Sequence, residues 1–176
     1  MAPGHVALIG LPDLRNKNLP DRLQPRLSER SLRRIEAYLR NRAGKLVQVD
    51  ATNPDYEVVK MQLEVIFYEG FDPNFYKNQL NEDLKKYLAP WTADEQMEIH
   101  FGGAIYKTQV IHFMENLDYV DFVQNVKMYH FLKGEDCNVL ASKISLSKVE
   151  PASAISILTS CEQHIIIPKT KQEICT

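Results

Sequence analysis

Residues 59–67 read VKMQLEVIF, with an apolar side chain at every odd-numbered position and polar side chains at Lys60, Gln62 and Glu64. Alternation with a period of two is typical of a β-strand, because successive side chains point to opposite faces of a sheet. The pattern predicts one face on a hydrophobic core and one face largely in water. Such a strand favours an antiparallel sheet that is covered on one side.

A helix is predicted directly downstream of this strand. Asp72 is a suitable N-cap, and Pro73 can occupy the first helical position, where its missing N–H costs nothing. Pro90 is expected to end the helix. We expect the apolar face of the helix to pack on Leu63 and Val65 of the strand. That face repeats every four residues, at Tyr76, Leu80, Leu84 and Leu88.

Two strands and another helix are predicted upstream. The ranges 5–11 and 45–51 read as strands, and the helix between them begins at the N-cap Ser28 and ends near Gly44. One face of this helix is rich in arginine. It could bind phosphate or an acidic partner, or it could be an ordinary solvated face, since two glutamates interrupt it. The arginines are Arg30, Arg33, Arg34, Arg40 and Arg42.

Downstream of Pro90, a short strand is predicted over residues 97–101, a third helix capped by Thr108, and a long strand over residues 119–131. Trp91 is expected to cover the core rather than to bind a ligand. The tail contains three further strand-like pieces. They span residues 144–149, 154–158 and 165–167.

The order of these elements predicts the fold class. Strand, helix, strand, strand, helix, strand is the split βαβ order. We therefore expect an α+β fold, a two-layer ferredoxin-like (βαββαβ) sandwich with an inserted helix and a C-terminal β extension. Residues 1–134 would form the ferredoxin-like domain, and residues 135–176 a β-rich extension or arm.

Composition narrows the class of protein. The 176 residues are 44% hydrophobic and carry a formal net charge of −2, which does not suit general nucleic-acid binding. No apolar run approaches the ~20 residues that span a bilayer, and the first ten residues do not resemble a signal peptide. We expect a cytoplasmic protein without direct membrane insertion. Its three widely spaced cysteines are then predicted to be reduced thiols.

The sequence offers only weak candidates for chemistry. Glu98 and His100 could lie on one face of a strand, and His112 with Glu115 on one face of a helix, but neither pair completes a metal-ligand pattern. The run 161–164 places Cys161 near His164 without any feature that would activate the thiol. No glycine-rich phosphate loop is present. We therefore predict no catalytic, cofactor-binding or metal site, no required cofactor, and no enzymatic activity.

Several motifs together resemble the C-terminal region of baseplate J-like proteins, which are wedge components of contractile injection systems. The block 99–107 (IHFGGAIYK) is the most distinctive. The others are LPDLRNKN at 11–18, LQPR at 23–26, YEGFD at 68–72, LNEDL at 80–84, LAPW at 88–91, YVDFV at 119–123, SILTS at 156–160 and QHII at 163–166.

The resemblance implies a structural baseplate component that acts by protein–protein assembly. It implies other wedge proteins as partners, with hub or sheath components as further partners, and a place in a phage-tail-like particle that can be released. The family is not catalytic, so no active-site residues carry over. Family members are usually much longer than this chain, which implies an expressed fragment or an unusually short gene.

Two alternative functions remain open. One is a stand-alone binding or adaptor module with the same fold, and the other is a small metal- or cysteine-dependent enzyme. In isolation we expect a monomer or a weak homodimer. The predicted contact surfaces are the loop over residues 15–26 and the tail from Ala141, since long connecting segments are often functional.

Overall fold

The computed structural model describes residues 4–14, 19–44, 46–93, 99, 101–138 and 144–170, and it divides the chain into two compact units. Unit 1 spans Met1–Asp55 and unit 2 spans Tyr56–Thr176. This division differs from the predicted boundary at residue 134. The physical reason is that strands of the tail pair directly with the central strand of unit 2.

Unit 1 is a βαβ arrangement. Its strands β1 (His5–Ile9) and β2 (Gln48–Thr52) are parallel, and helix α1 (Glu29–Arg40) connects them. The Ser28 hydroxyl accepts a hydrogen bond from the Ser31 backbone N–H at 3.2 Å, which confirms the predicted N-cap. The helix ends at Arg40, before the predicted end near Gly44.

Unit 2 is built around one long strand, β3 (Asp55–Phe67). One edge of β3 pairs antiparallel with β5, and β7 and β8 also pair with β3. β8 runs parallel to β3, with Leu63 beside Ile166. A separate two-stranded sheet joins β4 to β6. The remaining strands are β4 (Ile105–Tyr106), β5 (Val120–Phe131), β6 (Lys148–Val149), β7 (Ser156–Ser160) and β8 (Ile165–Pro168).

Two helices contribute to the main hydrophobic core of unit 2. Helix α2 (Pro73–Leu88) begins at the predicted cap, where Asp72 Oδ1 accepts from the backbone N–H groups of Asn74 and Phe75 at 2.9 and 2.8 Å. Helix α3 (Lys107–Glu115) contacts β5. The expected interface is confirmed, since one cluster contains the buried side chains of Leu63, Val65, Leu80, Leu84, Val110 and Met114.

The α+β class is confirmed, but the specific ferredoxin-like arrangement is not. That arrangement would place the first strand in the same sheet as β3, whereas β1 pairs with β2 in a sheet of its own. The predicted strand over residues 97–101 lies mostly outside the described residues. Directly before α3, the structure has the two-residue strand β4.

The expectation of a wet face on β3 was wrong. Lys60 is only 4% exposed, and its Nζ donates a hydrogen bond to the Cys137 carbonyl at 2.9 Å. Burial lowers the pKa of the Lys60 ammonium, although Asp136 acts in the opposite direction. A second buried cluster includes Val58, Tyr129 and Phe131, whose positions alternate with those of the main core. β3 is therefore covered on both faces over much of its length.

A candidate assembly surface

Helix α1 covers only part of the sheet in unit 1. Val6 on β1 and Val49 on β2 are neighbours in the parallel register, so their side chains point to the same face. Val49 is 4% exposed, whereas Val6 is 47% exposed. The helix therefore shields β2 and leaves β1 uncovered on the same face.

The outer edge of β2 is also occupied by side chains of α1. Glu36 Oε1 accepts from the Ala51 backbone N–H at 3.0 Å, and Arg40 Nη2 donates to the Val49 carbonyl at 3.4 Å. Both backbone groups point away from β1, since the bonds toward β1 come from the alternate residues Gln48 and Thr52. No strand among the described residues pairs with the outer edge of β1. Unit 1 is thus closed on the β2 side and open on the β1 side.

A groove of about 590 Å³ follows from this arrangement. It lies between α1 and the uncovered face of β1, and we call it the α1 groove. Its floor and walls are mainly apolar, and Tyr38 at its rim is 57% exposed. The lining residues are Leu8, Ser31, Arg34, Ile35, Tyr38 and Leu39.

The basic character of α1 is concentrated beside this groove. Arg33 pairs with Glu29 at 3.3 Å, and Arg42 stacks 3.7 Å from the centroid of the Tyr38 ring. No hydrogen-bond acceptor among the described residues contacts the guanidinium group of Arg30 or Arg34. A second depression, of about 510 Å³, runs along this arginine-rich side and shares Arg34 with the α1 groove.

The Cys161–His164 pair is not a nucleophilic site. Cys161 forms a disulfide with Cys137, so the prediction of reduced thiols was wrong for these two residues. The sequence did not indicate this pair because the two cysteines are 24 positions apart. They meet because β5 and β7 both pair with β3, which brings the two Cα atoms to 6.4 Å. A thiol held in a disulfide is not available as a nucleophile.

His164 is held as a neutral structural side chain. Its Nδ1 accepts a hydrogen bond from the Met61 backbone N–H at 3.1 Å, and its Nε2 lies 3.1 Å from the Ser160 hydroxyl. Burial, together with the nearby charges of Lys60 and Lys85, lowers the pKa of the imidazole to about 3. Both ring nitrogens are therefore committed within the core.

Of the other candidate pairs, only His112 and Glu115 lie in the part of the chain that the structure describes. His112 and Glu115 are exposed on α3, and His112 Nε2 lies 3.1 Å from the Asn116 amide nitrogen. Glu98 and His100 lie outside the described residues. In the part of the chain that the structure describes, no group of three or more histidine, cysteine or acidic side chains could hold a metal ion.

The buried carboxylate of Glu57 was not predicted from the sequence. Glu57 is 2% exposed, and its Oε2 lies 2.7 Å from His130 Nε2. The Ala152 backbone N–H contacts both carboxylate oxygens, at 3.0 and 3.1 Å. The signal was present, since Glu57 has the same parity as the core-facing residues of β3. These bonds attach the segment before β7 to β3, so the pair has a structural role.

The two predicted contact segments are more firmly held than expected. In the loop over residues 15–26, residues 15–18 lie outside the described part. Downstream of them Leu23 is buried, and Asp21 accepts from the Leu23 backbone N–H at 2.9 Å. In the tail, every residue of β7 is buried. The described tail is therefore part of a sheet and not a free arm.

No helix among the described residues is both long and apolar enough to cross a membrane.

Comparison with known proteins identifies the family. The model of the family "Baseplate protein PVC11-like" matches residues 1–143. Among solved structures, the chain is similar to one in the cryo-EM structure of the anti-feeding prophage (AFP) baseplate, 6-fold symmetrised, with a TM-score of 0.64 and 19% sequence identity. That match covers 90% of this chain and 30% of the other, so this chain spans less than a third of the solved one. No curated protein matches.

At 19% identity the structural likeness shows the fold alone. The family match covers most of the chain and spans the quoted motifs that lie between residues 11 and 123. The resemblance to baseplate proteins of contractile injection systems is thereby confirmed, and the chain belongs to the PVC11-like family of baseplate proteins.

Proposed function

We propose that this chain is a non-catalytic, structural component of the baseplate of a contractile injection system and that it acts by protein–protein assembly. The match of a baseplate family over residues 1–143 is the observation that carries the proposal. Within the baseplate we assign the chain to a wedge, with other wedge proteins as direct partners and hub or sheath components as further neighbours. This assignment rests on the sequence resemblance.

The geometry supports assembly better than catalysis. The buried polar side chains Glu57, Asn81 and His164 bond to backbone groups of the chain itself, and thus stabilise the fold. By contrast, unit 1 presents a wide apolar groove beside Arg30 and Arg34, whose guanidinium groups contact no acceptor among the described residues. A broad contact surface of this kind is typical of a protein that functions by binding other proteins.

The test is incorporation into particles. A tagged full-length chain should co-purify with assembled particles in cells that carry the complete gene cluster, and deletion of its gene should abolish complete particles. Reintroduction of the wild-type gene is the control for deletion. If the tagged chain is absent from particles, or if particles without it still contract, the proposed function is wrong.

Enzymatic activity can be tested in the same system. The variants His112→Ala and Glu115→Ala change the exposed candidate pair without removing any buried contact. We expect both to restore assembly and contraction as well as the wild-type gene does. Particles that assemble with these variants but fail to contract would indicate a chemical role for the pair.

A further inference from the structure

We propose that the α1 groove binds an acidic, amphipathic helix supplied by another polypeptide of the same assembly. The apolar face of that helix would fill the groove, and carboxylates at its border would pair with Arg34 and Arg30. The inference deepens the proposed assembly function and rests on it.

The apolar surface of the groove is the first argument for a binding partner. Val6 and Tyr38 are 47% and 57% exposed, although the sheet position beside Val6 is fully shielded by α1. Exposed apolar side chains that form a contiguous, concave surface mark interaction sites, whereas isolated ones are ordinary. Here Tyr38 lines the groove together with Leu8, Ile35 and Leu39.

The shape of the groove fits a helix better than a strand. A strand would bind at the outer edge of β1 through backbone hydrogen bonds, and it would leave the side-chain groove above β1 unfilled. A helix can lie next to α1 at the usual interaxial distance of about 8–10 Å and rest on the face of β1. Because α1 has 12 residues, a partner helix of about three turns would match its length.

The charge of α1 decides the chemistry of the partner. Between Glu29 and Arg42 the sequence carries five arginines and two glutamates, a local charge of +3 in a chain whose net charge is −2. Both glutamates are engaged within unit 1, Glu29 with Arg33 and Glu36 with β2. Arginines next to an apolar surface are suited to bidentate pairing with carboxylates.

A second copy of this chain is a poor occupant of the groove. Symmetric pairing of two α1 helices would place the arginine-rich sides of both copies close together. Like charges at an interface oppose association. The occupant must therefore differ from α1 and must carry negative charge.

Site-specific photo-crosslinking in assembled baseplates tests the proposal directly. Tyr38 would be replaced with p-benzoylphenylalanine in the full-length chain, and the cross-linked peptide would be sequenced by mass spectrometry. We expect a peptide from a different polypeptide, with apolar residues at helical spacing flanked by aspartate or glutamate. The same replacement at Phe75, which is 61% exposed on α2, is the matched control and should not cross-link to that peptide.

A charge-reversal variant provides a second test of the proposal. Arg34→Glu should reduce the Tyr38 cross-link at least tenfold, whereas Lys77→Glu, the same charge change on the exposed face of α2, should leave it unchanged. Baseplates that contain the chain but give no cross-link, a cross-link to a second copy, or a cross-link to a basic segment would overturn the inference. Baseplates that lack the chain altogether would instead overturn the proposed function.

Discussion

His164 shows how a polar side chain is accommodated in the core of unit 2. It lies between β3 and the end of β7, and its own backbone N–H donates to Asn81 Oδ1 at 2.9 Å on α2. Asn81 in turn donates to the Glu162 carbonyl at 3.1 Å. These bonds connect a strand, a helix and the tail through the buried side chains of His164 and Asn81, which makes them costly to break.

Protonation of His164 should therefore destabilise the protein. Its folded-state pKa of about 3 lies below the ordinary value of 6.5, so the unfolded chain binds the proton first as the pH falls. Stability that is complete above pH 6.5 should decrease progressively toward pH 3, by about 2 kcal/mol between pH 7 and pH 5. Urea unfolding at both pH values measures this loss.

Variants separate this effect from the titration of carboxylates. His164→Asn should be less stable at pH 7 but should lose less stability on acidification than the wild type. His112→Ala, at an exposed histidine, should lose as much as the wild type. An equal loss in wild type and His164→Asn would show that His164 is not the responsible group.

The Cys137–Cys161 disulfide provides a second prediction. It joins residues that are 24 positions apart, and closure of such a loop should stabilise the fold by about 3 kcal/mol. Cys137→Ser, or dithiothreitol added to the wild type, should lower the free energy of unfolding by that amount. Dithiothreitol should have no further effect on the variant. If dithiothreitol leaves the unfolding midpoint of the wild type unchanged, the result would instead support the reduced thiols that the sequence predicted.

Helix caps could be predicted from local sequence, whereas long-range side-chain contacts could not. Ser28 and Asp72 were recognised as helix caps because a cap depends on the three or four residues that follow it. The environments of Lys60, Glu57 and Cys137 were missed, because each depends on a residue more than 20 positions away. No periodicity within a single segment reports such distant contacts.

At the scale of elements, β3 and α2 were predicted well, whereas the pairing of the tail strands was not predicted. Period-two and period-four patterns identified these two elements and their shared core. The strands of the tail were found approximately, but strand pairing cannot be read from one segment. The sequence therefore left open whether the tail extends the sheet or forms an arm, and β7 and β8 both pair with β3.

Removal of the tail should consequently unfold unit 2. A chain that ends at residue 143 would lose β6, β7 and β8, and the Met61 backbone N–H would lose its acceptor His164. We expect circular dichroism of the truncated chain to show no cooperative thermal transition. Gln163→Ala, an exposed position between β7 and β8, should melt like the wild type. A folded truncated chain would restore the idea of an independent arm.

At the scale of the whole molecule, the two units differ in how much core they possess. Among the described residues of unit 1, the buried hydrophobic side chains are Leu23 and Val49, and α1 has none. Unit 2 has an extended cluster on both faces of β3. The arginine face of α1 was visible in the sequence. The α1 groove was not, since it depends on the pairing of β1 with β2, more than 40 residues apart.

This difference predicts unequal autonomy. Residues 56–176 expressed alone should fold and unfold cooperatively, whereas residues 1–55 alone should not fold, because a segment of that size with so few buried side chains is too small to be stable. Dispersion of amide resonances in two-dimensional NMR spectra distinguishes the outcomes. A well-dispersed spectrum for residues 1–55 would show that unit 1 needs no partner for its own stability.

The uncovered face of β1 also bears on how a cell keeps the right number of copies of this chain. Occupation of the α1 groove would stabilise the folded form of unit 1 by mass action. In a copy outside a particle, unit 1 would then unfold more often, and cellular proteases would cleave that copy sooner than a copy inside a particle. Surplus chains would be removed after synthesis, so that particle geometry rather than the rate of translation sets the stoichiometry.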